Sequence, residues 1–508
     1  MIVLLTLLVY FVVLMTFSRI TSRRADNETF YRGNRRSPWY MVAFGMVGAS
    51  ISGVTFVSVP GMILSRDMTY IQTCLGFIPG YFAVAFILLP IYYRWNVTTI
   101  YTCLQKRLGE RSYKTGSAFF ILSKMTGAAV RFYVVCVILQ RFVVDSLTPI
   151  DISVLTLHLS VGRIPFFVTV AVLAALIWLY TRRGGIKTLV WTDTLNTLCM
   201  FAALLMIIVC VCEGLGLSLY EAVAVVADDE RSLVFVWDDF MSRNNFWKQF
   251  VSGAFIVIVM TGLDQDMMQK NLTCKTLREA QKDLCTYGFA FVPANMLFLS
   301  LGVLLALLFA RQGLDLPVSG DALLPQFVES VSNGTLDTGS NVSALFSRSS
   351  LILVLFALGI VASSFSSADS ALTALTTCWC VDICGRPEDE RLRRRSHVGI
   401  TIVFAVVILL VDAFNSTSVI DAIYILCSYT YGPLLGLFAY ALLGRGRKMR
   451  NEHLSPYIAV ASPVVCLIIA KTVEALTGYR FGYEMLLLNG LLTLTALAAV
   501  DHLPTVRH

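Results

Sequence analysis

The chain has 508 residues, 56% of them hydrophobic and 14% charged, with a mean hydropathy of +0.72. Soluble domains carry roughly 25% charged residues, so this composition excludes an ordinary soluble enzyme and marks an all-α polytopic membrane protein. The net charge of +7 does not imply a nucleic-acid partner, because the basic residues fall in short loops between apolar runs.

The 13 cysteines show no metal or disulfide spacing. Those inside apolar runs, such as Cys136, Cys199 and Cys378, behave as small hydrophobes. The 5 histidines are dispersed at segment ends, and no nucleotide loop, zinc motif or nucleophile elbow appears. The expectation is therefore a protein that is not an enzyme, with no catalytic residues and no organic cofactor.

A spanning helix needs about 20 apolar residues. Thirteen segments qualify: 2–19, 39–64, 69–93, 116–140, 164–181, 187–212, 246–268, 283–310, 350–380, 397–414, 418–443, 455–476 and 483–501. The first lacks a basic n-region and a cleavage site, so it reads as a retained helix and not as a signal peptide. With the N-terminus outside, most lysines and arginines fall in inner loops, among them Arg32, Arg35, Lys106, Arg182, Lys270 and Arg386. The outer loops hold few, such as Arg66 and Arg141. The positive-inside rule then places the N-terminus outside and the C-terminus in the cytoplasm, and the location expected is the cell (inner) membrane.

The second segment contains GASISG, Gly48 to Gly53. Weak helix propensity there lets the helix break, and free carbonyls at membrane depth are tolerated only where they line a site. The seventh segment has a similar glycine interruption at Gly253 and Gly262. Five helices start at each of these points, giving halves 39–212 and 246–443, the pattern of an inverted-repeat transporter. Around them lie a leading helix and inner loop (1–38), an outer loop (213–245), and two trailing helices with a short tail (444–508).

The ninth segment is rich in hydroxyls. Ser363, Ser366, Ser367 and Ser370 are spaced i, i+3, i+4, i+7 and form one stripe on a helix, with Asp369 about 60° away. Small residues let membrane helices pack closely. A carboxylate among hydroxyls also offers oxygens to a dehydrated cation, and Asp369 favours that second reading.

Three other polar groups stand out. Asp193 lies about 9 Å along its helix from Lys187. It reads either as an interfacial carboxylate paired with Arg182 or Arg183, or as an intramembrane group. Arg131 is too far from Lys114 and Arg141 to snorkel to either surface. It faces a polar cavity and pairs there with a carboxylate of the protein or of a substrate. Asp264, Gln265 and Asp266 read as a solvated inner helix end.

Five stretches in order now resemble the sodium:solute symporter family, which includes proline, sialic acid, sugar, vitamin and iodide carriers. They are FYRGNRRSPWY, SGVTFVSVPG, GGIKTLVWTD, DQDMMQKNLTCKTLREAQ and SSADSALTALTTCWCVD. The resemblance runs from about Thr29 to Leu443. It implies the leucine-transporter-type fold, a five-plus-five inverted repeat with a leading helix and two trailing ones. It implies a sodium site made by the carbonyls of Gly48, Ile51 and Ser363 and the hydroxyls of Ser366 and Ser367. A second sodium site, nearer the cytoplasm, matches Asp193, Asp369 and Ser370. Substrate contacts of sialic acid carriers match Ser52, Thr55 and Arg131, and Ser50 falls in the same stretch. Proline carriers have an aspartate where this chain has Ser50, which counts against proline. Sugar carriers have an aromatic gate near Met260 and Thr261, which counts against a sugar. Asn196 stands where the family commonly has glutamine.

The function expected is sodium-coupled symport, with sodium as coupling ion, importing a small organic solute across the lipid bilayer. A carboxylated solute is expected on Arg131 alone. A transporter-like membrane sensor is the competing class; since the chain ends soon after its last helix, it would need a separate output partner. An intramembrane enzyme would require a paired-aspartate or serine–histidine arrangement, which the sequence does not offer.

Overall fold

The computed structural model describes all residues except 1, 24, 146–149, 155–156, 162–163, 239–241, 339–346, 415–418, 445–448, 480, 483 and 503–508. Parts of the expected outer loops and the tail beyond 502 therefore lie outside the described residues.

The described chain is almost wholly helical, as lipid requires: a segment crossing hydrocarbon must satisfy its own backbone groups. In order it runs through α1 (Ile2–Thr21), α2 (Trp39–Ser50), α3 (Gly53–Gly61), α4 (Ile63–Trp95), α5 (Glu110–Val144), α6 (Phe166–Gly184) and α7 (Ile186–Gly214). It continues through α8 (Phe246–Gly262), α9 (Gln265–Asn271), α10 (Leu277–Arg311), α11 (Arg348–Ile383), α12 (Glu390–Phe414), α13 (Val419–Leu443), α14 (Ser455–Thr477) and α15 (Met485–His502). Among the described residues, ten helices can each cross a membrane by length and composition, and two bent pairs, each taken as one span, raise the number to 12. The helix α13, whose shorter apolar stretch is Tyr429–Leu443, stands where the eleventh segment, 418–443, was expected. One departure from helix is a hairpin between α5 and α6, with β1 (Ile150–Val154) antiparallel to β2 (Leu157–Val161). It lies in a connection outside the apolar spans, where an open sheet edge carries no lipid penalty.

The two bent pairs give the fold its character. Between α2 and α3 the axis turns by 60°, and between α8 and α9 by 72°. The first break falls at Ile51 (φ −83°, ψ 83°) and Ser52 (ψ 170°), inside the predicted GASISG stretch. Two glycines let neighbours reach it. A Cβ on Gly48 would lie 1.9 Å from Thr197 Oγ1 on α7, and one on Gly53 would lie 2.0 Å from Ser364 Oγ on α11. The second break follows Gly262, as expected there. Gly253, by contrast, stays inside α8 and interrupts nothing. The centre of the bundle is α11, the most enclosed of the spanning helices, packed against α1, α3, α5 and α7.

Candidate cation and solute sites

At the first break the Ile51 N–H closes a last turn on the Val47 carbonyl at 3.1 Å. Among the described residues, the next N–H, that of Ser52, makes no backbone bond onto Gly48, and the Ile51 carbonyl receives none. These oxygens are directed away from helix bonding, as the sequence predicted. The serine stripe of α11 comes to meet them. Ser367 donates its hydroxyl to the Ala49 carbonyl at 2.9 Å, tying the stripe to the end of α2. Ser363 turns its hydroxyl back on its own helix, to Gly359 O at 2.8 Å and Ile360 O at 3.0 Å. Ser366, expected at the same site, points its hydroxyl elsewhere, to Asp193 Oδ1 at 2.6 Å.

That contact leads to a second cluster. Asp193 on α7 and Asp369 on α11 are both buried, with Ser370 beside them. Tyr180 donates to Asp369 Oδ2 at 2.6 Å, and Ser370 donates to Asp369 Oδ1 at 3.2 Å. Close by, Tyr10 of α1 donates to Asn196 Oδ1 at 2.6 Å. The cation facing Asp193 is neither Arg182 nor Arg183. Lys270 Nζ lies 2.7 Å from Asp193 Oδ2, with both side chains almost fully enclosed. The fields of Asp193 and Lys270 both reach Asp369. Lys270 was expected in a solvated inner loop. The break before α9 folds the end of the seventh span inward against α7 and α11, and takes Lys270 with it.

The same fold overturns the reading of Asp264, Gln265 and Asp266 as a solvated helix end, since all three are buried. Lys124 of α5 pairs with Asp266 at 2.6 Å and with Asp264 at 3.1 Å. Tyr431 of α13 donates to Asp264 Oδ2 at 2.7 Å. Gln265 accepts from the Ile100 N–H at 2.8 Å and donates to Thr98 O at 3.1 Å. Sequence reasoning passed over Lys124, although it stands inside a predicted span on the same grounds as Arg131. A charge at membrane depth was the available signal.

On the far side of the first break lies a cavity of about 130 Å³. Ser50, Ser52, Thr55, Arg131, Thr261 and Tyr287 are among its lining residues. Ser50 and Tyr287 are hydrogen-bonded through their hydroxyls, and Ser52 Oγ lies 3.5 Å from Thr55 Oγ1. The rings of Tyr81 and Tyr287 meet with centroids 4.5 Å apart, forming an aromatic wall. Met260 also lines the space. Thus the four residues expected to touch solute share one cavity. Among the described residues Arg131 has no carboxylate within ion-pair distance, and its Nε is buried without a hydrogen-bond partner. Among the described residues, too, no cluster of three or more His, Cys, Asp or Glu side chains is placed to hold a metal ion.

Comparison with known proteins bears on the family and the fold. A family model described as the sodium:solute symporter family matches residues 30–445. The sodium/sialic acid symporter NanT of Aliivibrio fischeri is 22% identical, over 91% of this chain and 85% of its own. The sodium/sialic acid symporter SiaT of Proteus mirabilis is 21% identical, over 91% and 88%. Among solved structures, a Na+-coupled sialic acid symporter in a substrate-bound, outward-open state superposes with a TM-score of 0.78. That match has 18% identity and covers 99% of this chain and 98% of the other, which places the fold in the leucine-transporter class.

Proposed function

The chain belongs to the sodium:solute symporter family, and from that premise we propose that it imports a small carboxylated solute, driven by sodium entering with it. The observation that carries the solute class is Arg131. An arginine at membrane depth is costly unless it meets an anion. This one opens onto a cavity beside Ser52 and Thr55, with no carboxylate of the described residues against it. Its planar fork can hold a carboxylate through two hydrogen bonds. The named cargo of the two relatives is likewise an acid.

In this reading the first sodium is held where the α2–α3 break meets α11, by the carbonyls of Gly48, Ile51 and Ser363 with the hydroxyl oxygens of Ser366 and Ser367, whose lone pairs serve the ion while their protons go to Asp193 and the Ala49 carbonyl. Neutral oxygens suit a hard monovalent ion that must also be released. Asp193, Asp369 and Ser370 form a second cation site. Ser50 joins Ser52, Thr55 and Arg131 around the solute. The repeats are 39–212 and 246–443, each opening on a broken helix, so that one can rock against the other around the shared sites. The N-terminus lies outside and the C-terminus in the cytoplasm of a cell membrane.

The test is flux. The full chain in proteoliposomes, given an imposed inward sodium gradient, should accumulate members of a panel of carboxylated solutes and not their neutral amides. Uptake of the neutral members alone would exclude the carboxylate. Uptake indifferent to the gradient would exclude coupling.

A further inference from the structure

We infer that the second cation site is filled from within: the Lys270 ammonium is its resident cation, leaving this carrier one exchangeable sodium, at the α2–α3 break. The inference deepens the proposed function and rests on its reading of that site.

The argument starts from the four carboxylate oxygens. Asp193 Oδ1 takes the Ser366 hydroxyl at 2.6 Å, and Asp193 Oδ2 faces Lys270 Nζ at 2.7 Å. Asp369 Oδ1 takes the Ser370 hydroxyl at 3.2 Å, and Asp369 Oδ2 takes the Tyr180 hydroxyl at 2.6 Å. Three of the four oxygens already accept a hydroxyl of the protein itself, and the fourth, Asp193 Oδ2, is held at ion-pair distance by the ammonium without a formed hydrogen bond. Charge points the same way. The Lys270 ammonium stands against Asp193 and supplies in place the positive charge that this carboxylate needs. A sodium added at Asp193 would set a second cation against the ammonium in a site with low dielectric, where like charges repel strongly. The ammonium cannot simply retreat to water, because Lys270 is 1% exposed and its helix is closed over by neighbours. Its stem leaves the end of α9 after the 72° bend, so the position is set by the fold and not by a flexible loop.

Removing the ammonium should therefore create a sodium site where the wild type has none. The measurement is equilibrium binding of radioactive sodium to the purified full-length chain in detergent, with no solute added. We expect about one ion per chain for the wild type and about two for Lys270→Gln, because occupancy counts independent sites. The double variant Lys270→Gln with Asp193→Asn should return to one. Two ions bound by the wild type, or one by a folded Lys270→Gln, overturns the inference. Should Lys270→Gln not fold, the wild-type count decides by itself, and Lys270→Met supplies the second arm. A wild type that binds no sodium would instead remove the reading of function on which the inference stands.

Discussion

Lys124 and Asp266 meet at 2.6 Å in the interior of the bundle, one on an unbroken helix and the other at the elbow of a broken one. Asp264 shares the same ammonium and is fixed from a third helix by Tyr431. One cation thus holds two carboxylates, and three helices, around the second break.

Lys124→Met leaves both carboxylates enclosed with no cation. Breaking a buried pair by removing one partner costs about 3–5 kcal/mol. The variant should melt well below the wild type in detergent, and Lys124→Met with Asp266→Asn should recover part of the loss. Equal melting of Lys124→Met and wild type would mean the cluster does not hold the break.

Arg131→Lys should leave folding intact and damage solute recognition. Lysine keeps the charge but cannot offer two parallel hydrogen bonds. Losing a charge-assisted contact costs about 2–3 kcal/mol, or about 30- to 150-fold in apparent KM for the carboxylated solute. Sodium activation should change far less. Normal transport by Arg131→Lys would make the arginine a structural residue.

Ser366→Ala and Ser367→Ala should each weaken sodium activation. Ser367 anchors α11 to the Ala49 carbonyl, and Ser366 lies between the first site and Asp193. One hydrogen bond is worth about 0.5–1.5 kcal/mol, so half-saturation should move upward by about 2- to 12-fold. Folding should be spared, since one small helix residue replaces another. Sodium curves that superpose on the wild type for both variants would remove the site from this contact.

Gly48→Ala tests the close approach of α7 to the break. The added Cβ would lie 1.9 Å from Thr197 Oγ1 and 2.7 Å from Thr197 Cβ. Overpacking of this kind costs about 1–3 kcal/mol. Both the melting temperature and sodium affinity should fall, and Thr197→Gly in the same chain should restore part of each. If Gly48→Ala is silent in both measurements, the contact is not needed for the site.

Much of this was legible from residue chemistry. A charged or glycine-rich interruption in an apolar run is conspicuous, so a break within Gly48 to Gly53, the serine stripe of α11 and the exposure of Arg131 to a cavity all followed from sequence. What sequence could not supply was the direction of a bend. A linear reading sends the residues after Gly262 onward to the cytoplasm and dissolves Asp264, Asp266 and Lys270 in water. The 72° turn sends them sideways into the bundle, where Lys124 and Asp193 wait. Pairings of that kind depend on two helices far apart in sequence, and no spacing within either one encodes them.

The polar half-helix α9 also constrains how the protein is made. Asp264, Asp266 and Lys270 in one short segment would each cost about 2.5–3.5 kcal/mol to insert at the bilayer centre alone. Lipid therefore gives α9 no reason to leave the translocon. Its counter-charges, Lys124 and Asp193, belong to helices that precede it in the chain. Neutralisation therefore requires α9 to pack against those helices. A lesion at Lys124 would accordingly strike membrane integration of the nascent chain before any solute was ever bound.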